Sequence, residues 1–157
     1  MELDPYANDG LLSYFEGKAE YGTATRSTAV LRTGAASRAH DSGAGDLSYT
    51  RHYFGPEALG GWYARVYFRV SALPASAVRI MFFSNNAGRL VGARLTAGGK
   101  LQLWNEVAGS EAQVGSNSAA TIAVDTWYRL ELFAKLVTLA PGETTTLRQR
   151  WTVEEPS

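Results

Sequence analysis

Hydrophobic and polar residues alternate with a period of two over long stretches of the chain. In residues 62–70 the even-numbered positions are apolar, whereas the odd-numbered positions carry tyrosine or arginine. In residues 127–136 the even-numbered positions from Tyr128 onward are apolar, and the positions between them include Arg129, Glu131 and Lys135. Successive side chains of a β-strand point to opposite faces of the sheet, so this period predicts antiparallel strands with one buried face.

Short turn-forming sequences separate the alternating segments. The pair Gly98-Gly99 predicts a tight hairpin of the primed type, because both glycines accept a positive φ. Residues 84–88 and 108–111 predict two further turns, and no segment has a clear helical period. We therefore predict strands near residues 11–15, 23–27, 29–32, 37–39, 47–54, 62–70, 77–84, 90–96, 100–107, 127–137 and 144–152.

The many short strands indicate a single all-β domain. Antiparallel strands with regular turns pack as a sandwich or a barrel, and a sandwich needs about 100 residues, fewer than the 157 of this chain. We predict one two-sheet antiparallel β-sandwich over residues 1–157, with an N-terminal arm at 1–10 and a C-terminal tail at 152–157.

The balance of charged residues indicates which partners the chain is not suited to bind. Fifteen basic and fifteen acidic residues give a net charge of zero, which argues against nucleic acid, and against a membrane, as partners. The chain has no cysteine, so disulfides and thiolate chemistry are excluded. The first residues lack the basic and apolar regions of a signal peptide, so we expect a cytoplasmic protein or a component of a virus particle.

The order of several segments resembles that of laminin-G-like and related concanavalin A-like lectin and glucanase domains, including modules attached to bacterial and phage proteins. The segments are Phe15-Glu16-Gly17, residues 30–37, the strand 62–70 with Ser-Ala-Leu-Pro at 71–74, the hairpin 90–103 and the sequence Asp-Thr-Trp-Tyr-Arg-Leu-Glu-Leu at 125–132. The resemblance covers residues 11–151 and implies a jelly-roll sandwich. Such domains usually continue beyond a strand like 144–151. Three alternatives follow: the sheet ends early, the N-terminal segment fills the place, or a partner chain completes the sheet. Because an unpaired edge favours association, a homo-oligomer is one hypothesis.

The polar faces of the predicted strands are rich in aromatic and arginine side chains. Aromatic rings stack on sugar rings and arginine donates to hydroxyls, whereas the same composition also suits protein interfaces or an ordinary sheet exterior. Further residues expected on outward faces are Arg79, Phe83, Arg94, Gln102 and Phe133. The candidate ligand-binding residues are Tyr63, Arg65, Tyr67, Arg69, Trp104, Arg129 and Glu131.

Catalytic residues are harder to find. A glycosidase needs two facing carboxylates, and the nearest pair is Glu106 and Glu111, which we interpret as solvated loop charges beside a hairpin. Arg129 with His40 or His52 superficially resembles the site of alginate-lyase-like enzymes, but the companion Gln-Ile-His motif is missing. We expect no catalytic residue and no cofactor; calcium, if bound, would use loop oxygens of Asp41, Asp46, Asn85 and Asn86.

These observations predict a non-catalytic, lectin-like module that binds a glycan or polysaccharide on a sheet face or at a loop rim. The alternative is a structural virion component, such as a capsid decoration or tail protein, whose sandwich contacts other structural subunits. The third hypothesis is a polysaccharide lyase or hydrolase. A fold alone does not fix a function, so the choice depends on which side chains the folded chain brings together.

Overall fold

The computed structural model describes residues 19–21, 23–34, 37–41, 49–51, 62–85, 88–134 and 149–154, and these residues form strands, turns and loops without a helix. The strands are β1 (Ala19–Tyr21), β2 (Thr23–Ser27), β3 (Ser37–Asp41), β4 (Tyr49–Arg51), β5 (Trp62–Phe68), β6 (Val78–Asn85), β7 (Gly88–Leu95), β8 (Leu101–Asn105), β9 (Ala112–Val114), β10 (Tyr128–Ala134) and β11 (Gln149–Glu154). The prediction of an all-β chain is confirmed for this part of the sequence.

The strands pair in four antiparallel groups. Strand β1 pairs with β4 and β2 pairs with β3. A three-stranded sheet has the order β11-β10-β5, and a four-stranded sheet has the order β6-β7-β8-β9. The chain divides into two compact units. The first contains β1 to β4 together with Val66–Phe68, and the second contains the described residues of Leu59–Arg65 and Arg69–Ser157.

The core of the second unit joins the three-stranded and four-stranded sheets. Its buried cluster takes Leu132 and Ala134 from β10 and side chains from each of the first three strands of the other sheet. Those three are Phe83, Val91 and Leu103, and Ala64, Met81 and Val114 pack against the cluster. Removal of this apolar surface from water is the main force that holds the two sheets against each other.

Strand β10 has the alternation that its sequence predicts. Tyr128, Leu130, Leu132 and Ala134 are buried, and the three residues between them are partly exposed. Strand β5 follows the same pattern, with Val66 and Phe68 buried and with Tyr63 and Arg65 exposed. Position 136 of the predicted inward set lies outside the described residues.

Strand β6 departs from simple alternation, and the prediction that Phe83 faces outward is wrong. Arg79 pairs with Arg94, but the next paired residue of β6 is Met81, so Ile80 is an extra residue in that strand. A bulge of one residue moves every later side chain to the opposite face. Phe83 therefore lies in the core with 6% of its surface exposed.

The hairpin between β7 and β8 also differs from the prediction. Gly99 N donates to Thr96 O at 3.0 Å, and Thr96 N donates to Lys100 O at 2.8 Å. Only the second glycine of the pair has a positive φ, 73° at Gly99. The loop is thus a three-residue connection that ends in a left-handed glycine, whereas a primed turn would need a positive φ at its central residues.

The remaining strand predictions have mixed outcomes. The strand predicted at 29–32 is wrong, because residues 28–34 form a loop in which the Ser37 hydroxyl donates to Val30 O at 2.6 Å. Strand β9 at Ala112–Val114 is paired with β8, after a hairpin tip at the predicted place. Strand β11 runs to Glu154, into the segment predicted as a tail. The predicted strand 11–15 and arm 1–10 lie outside the described residues.

Candidate functional site

A buried carboxylate lies on the outer face of the four-stranded sheet. Glu106 directly follows β8, and its backbone N donates to Leu90 O at 2.9 Å, which continues the ladder between β8 and β7. In this register Glu106 shares its face with Gln102 and Trp104, while Leu103 between them points into the core. No part of the Glu106 side chain is exposed to solvent.

Three arginines surround this carboxylate. Arg79 approaches Oε2 with Nε at 2.8 Å and with Nη2 at 2.7 Å, and Arg94 Nε donates to Oε1 at 2.7 Å. Arg89 Nε lies farther away, 3.6 Å from Oε2. Three guanidinium groups around one carboxylate leave an excess of positive charge on this face of the sheet.

Two irregularities in the pairing of β6 with β7 place Arg79 and Arg89 on the outer face that carries Glu106. The extra residue Ile80 lets Arg79 face outward although Phe83, four residues later, faces inward. In β7, Val91 pairs with Phe83 and Arg89 pairs with Ser84, so Leu90 is a second extra residue. Bulges redirect side chains in this way at many functional sites. Here they bring Arg89 to the face that carries Arg94 and Glu106.

Electrostatics keep the Glu106 carboxylate ionised. Burial by itself raises the pKa of this group, but hydrogen bonds and the positive charges of Arg94 and Arg79 outweigh burial, so the pKa lies below its ordinary value of 4.5. The interpretation of Glu106 as a solvated loop charge is therefore wrong. A carboxylate held in this state cannot supply a proton at neutral pH, and Glu111 instead accepts from Gly109 N at the hairpin tip, at 3.1 Å.

Trp104 extends the cluster along the sheet. The guanidinium carbon of Arg94 lies 3.9 Å from the centroid of the indole ring, a cation–π contact. The indole Nε1 donates to Gln102 Oε1 at 2.9 Å. The Gln102 and Gln113 amides both donate to Asn117 Oδ1 at 3.0 Å. We call this surface the arginine–tryptophan face; it comprises Arg79, Arg89, Arg94, Gln102, Trp104, Glu106, Gln113 and Asn117.

Four of the predicted site residues form a different cluster, on the three-stranded sheet. Arg65 Nε donates to Glu131 Oε1 at 2.6 Å, and Arg65 Nη2 donates to the Tyr63 hydroxyl at 3.3 Å. Arg129 Nε lies 3.7 Å from Glu131 Oε1. A hydrogen bond with Tyr63, followed in strength by that with Arg65, lowers the pKa of Glu131. This surface is the cross-strand pairing that the sequence also allowed.

The core separates these two clusters, so the predicted set does not form one binding face. Ala64 and Leu132 point into the core from the strands that carry the Tyr63 cluster, and Leu103 points into it from the strand that carries Trp104.

The two remaining predicted site residues, Arg69 and Tyr67, belong to neither cluster. Arg69 Nη2 contacts Asp125 Oδ1 at 2.6 Å. In the first unit, the Arg32 guanidinium lies 3.8 Å from the centroid of the Tyr67 ring.

Several members of the arginine–tryptophan face follow from the sequence, and others do not. Alternation placed Arg79, Arg94, Gln102 and Trp104 on outward faces, and the structure agrees. Simple alternation cannot find Arg89, because the bulge at Leu90 reverses its side. Alternation also places Glu106 on the face of Gln102 and Trp104, but the sequence around Glu106 does not predict that its side chain is buried. Asn117 and Gln113 meet only through the loop that follows β9.

The candidate calcium and lyase residues are only partly within the described chain. Asp41 is exposed at the end of β3, Asn85 ends β6, and Asp46 and Asn86 lie outside the described residues. In the described ranges, no group of three or more His, Asp and Glu side chains could hold a metal ion. His40 lies in β3, and His52 is outside the described residues.

Comparison of the chain with protein-family models, with curated proteins and with solved structures gives no match in any of the three searches. A search of the described residues for a helix that is long and apolar enough to span a membrane finds none.

Proposed function

We propose that this chain is a non-catalytic recognition module that binds carbohydrate on the arginine–tryptophan face, within a jelly-roll sandwich of the concanavalin A-like type. The antiparallel sheets and their shared core are consistent with that fold. The laminin-G-like order of sequence segments supports it independently.

The observation that carries the proposal is the fixed position of Trp104. Its indole is partly exposed, is covered by Arg94 at 3.9 Å, and is tied to Gln102 at 2.9 Å. Side chains that are already ordered lose little conformational freedom when a ligand binds. Next to the ring lie the amides of Gln102, Gln113 and Asn117, which can hydrogen-bond hydroxyls. An aromatic surface beside planar polar groups suits a sugar ring.

The test is a screen of the purified chain on an array of glycans and polysaccharides. Trp104→Ala removes the proposed platform. Tyr63→Ala is the matched control, because Tyr63 is an aromatic residue on the opposite outer face and is 53% exposed. We expect saturable binding that Trp104→Ala abolishes and Tyr63→Ala preserves. A folded wild-type protein that binds no arrayed sugar would overturn the proposal, as would equal loss in both variants.

The second candidate, a structural virion component, is favoured by a different observation. Strand β6 runs for eight residues and ends the four-stranded sheet in the described part of the chain. Strands at a sheet edge can pair with another chain. Size-exclusion chromatography with light scattering tests this candidate: a stable oligomer that the double variant Arg79→Ala and Trp104→Ala leaves intact favours assembly, and a monomer at high concentration counts against it.

A further inference from the structure

The arginine–tryptophan face carries more positive charge than its own carboxylate neutralises. Arg79, Arg89 and Arg94 all approach Glu106, and their side chains remain 32%, 46% and 17% exposed, whereas Glu106 is fully covered. The anion is therefore beneath the guanidinium groups and the cations are on the solvent side. A ligand that approaches this face meets arginine first.

Arg89 is held less tightly than its two neighbours. Its Nε lies 3.6 Å from Glu106 Oε2, beyond hydrogen-bond distance, while Arg79 and Arg94 both approach the carboxylate to 2.7 Å. Arg89 is also the most exposed of the three. A guanidinium presents five donors in a planar fork that fits carboxylate or sulfate oxygens. Arg89 can turn this fork to a bound anion while Arg79 and Arg94 keep Glu106 neutralised.

The positive group and the aromatic platform are adjacent. Arg94 contacts Glu106 with Nε at 2.7 Å and lies over the Trp104 ring at 3.9 Å. Arg94 thus belongs to the charge cluster and also contacts the indole. A sugar with an anionic substituent has the chemistry to match this pair of features: its ring contacts Trp104 and its anion contacts arginine.

Building on the proposed function, we infer that the face selects acidic glycans, in which a sugar ring packs against the part of the Trp104 indole that Arg94 leaves exposed. A carboxylate or sulfate group of the glycan binds Arg89, supported by Arg79. Uronic acids and sulfated sugars share this chemistry. Charge-assisted, bidentate hydrogen bonds of arginine to such groups are stronger than bonds between neutral partners.

The test compares matched polymers that differ in charge. Polygalacturonate is compared with its methyl ester for the carboxylate, and dextran sulfate is compared with dextran for the sulfate. The variants are Arg89→Gln and Arg65→Gln. Arg65 is 49% exposed on the other outer face, against 46% for Arg89, so both variants lower the net charge equally from similarly exposed positions. Affinities are measured by isothermal titration at two salt concentrations.

We expect the protein to prefer an acidic polymer to its neutral partner. Arg89→Gln lowers that affinity about tenfold or more, and Arg65→Gln leaves it unchanged. A preference for polygalacturonate identifies a carboxylate ligand, and a preference for dextran sulfate identifies a sulfate ligand; either supports the inference.

Three results separate failure of the inference from failure of the proposed function. Equal affinity for charged and neutral polymers, lost in Trp104→Ala, would leave the proposed function standing and overturn acidic selectivity. Equal weakening by Arg89→Gln and Arg65→Gln would show non-specific charge attraction and also overturn it. The absence of binding to these polymers and to every sugar of the array would overturn both.

Discussion

Gly92 provides the space that the Glu106 carboxylate occupies. A Cβ at position 92 would lie 3.2 Å from Glu106 Oε1, from Met81 O and from Phe82 Cβ. Gly92 pairs with Trp104 in the next strand, on the outer face of the sheet. The missing side chain thus lets the carboxylate lie low on the sheet, beneath Arg79 and Arg94.

This close packing predicts that Gly92→Val destabilises the protein by about 1–3 kcal/mol, because an added side chain must displace the carboxylate or the β6 backbone. Valine otherwise favours a strand, so a loss reports crowding. Urea unfolding measures it. In a Glu106→Ala background the carboxylate is gone, and we expect the cost of Gly92→Val to fall. An unchanged cost in that background would show that Glu106 is not the obstacle.

The buried carboxylate predicts a specific dependence of stability on pH. The folded-state pKa of Glu106 lies below its ordinary value of 4.5. The stability that the ionised carboxylate adds to the folded state is therefore complete above pH 4.5 and is lost as the pH falls through the folded-state pKa. At neutral pH, Glu106→Gln should lower the free energy of unfolding by about 1.5–3 kcal/mol. The difference from wild type should shrink as the pH is lowered below 4.5 and through the folded-state pKa.

Urea titrations of both proteins across this pH range measure the difference. Glu111→Gln is the control, because this carboxylate accepts from a backbone N–H at an exposed hairpin tip. We expect Glu111→Gln to change stability by less than about 0.5 kcal/mol at neutral pH. A difference between wild type and Glu106→Gln that does not change with pH would contradict the assignment of Glu106 as an ionised, arginine-bound group.

The arginines of the cluster should differ in their contributions to stability. Arg94→Ala removes a 2.7 Å bond to a buried carboxylate and uncovers Trp104, so we expect a loss of about 2–4 kcal/mol. Arg89→Ala removes a 3.6 Å contact of a half-exposed side chain, for which we expect less than about 1 kcal/mol. Thermal unfolding ranks the two variants. The reverse order would show that Arg89 is the main partner of Glu106.

Two neighbouring glycines should respond differently to the same substitution. Gly99 has a φ of 73°, and a Cβ there would lie 2.9 Å from Ile122 O, whereas the nearest atom to a Cβ at Gly98 is 3.9 Å away. Gly99→Ala should cost about 1–3 kcal/mol through backbone strain and crowding. Gly98→Ala should change stability by less than about 0.5 kcal/mol. Equal effects in urea unfolding would contradict the loop geometry.

Local pattern was enough to predict the regular strands. The alternation of Tyr128–Ala134 and of Trp62–Phe68 gave the buried face of β10 and β5, because a period of two depends only on the strand itself. Turn residues also marked the hairpin tip before β9. The outward-facing side chains of single strands could therefore be assigned, among them Arg65 and Trp104.

The sequence did not predict how these strands combine. The two bulges, at Ile80 and Leu90, depend on pairing between β6 and β7, and they reversed the expected side of Phe83 and brought in Arg89. Which strands share a sheet also depends on tertiary contacts. For that reason the predicted set mixed Trp104 with Tyr63, whose faces lie on opposite sides of the core.

The most direct test of recognition on the arginine–tryptophan face is a nuclear magnetic resonance titration of the labelled protein with a saccharide that the array retains. The side-chain indole signals of the four tryptophans are assigned with single variants. We predict that the signals of the Trp104 indole and of the side-chain amides of Gln102 and Gln113 shift in a saturable manner, while the signals of Tyr63 and Glu131 stay in place. Shifts confined to the sheet of Tyr63 and Glu131, with Trp104 unchanged, would contradict it.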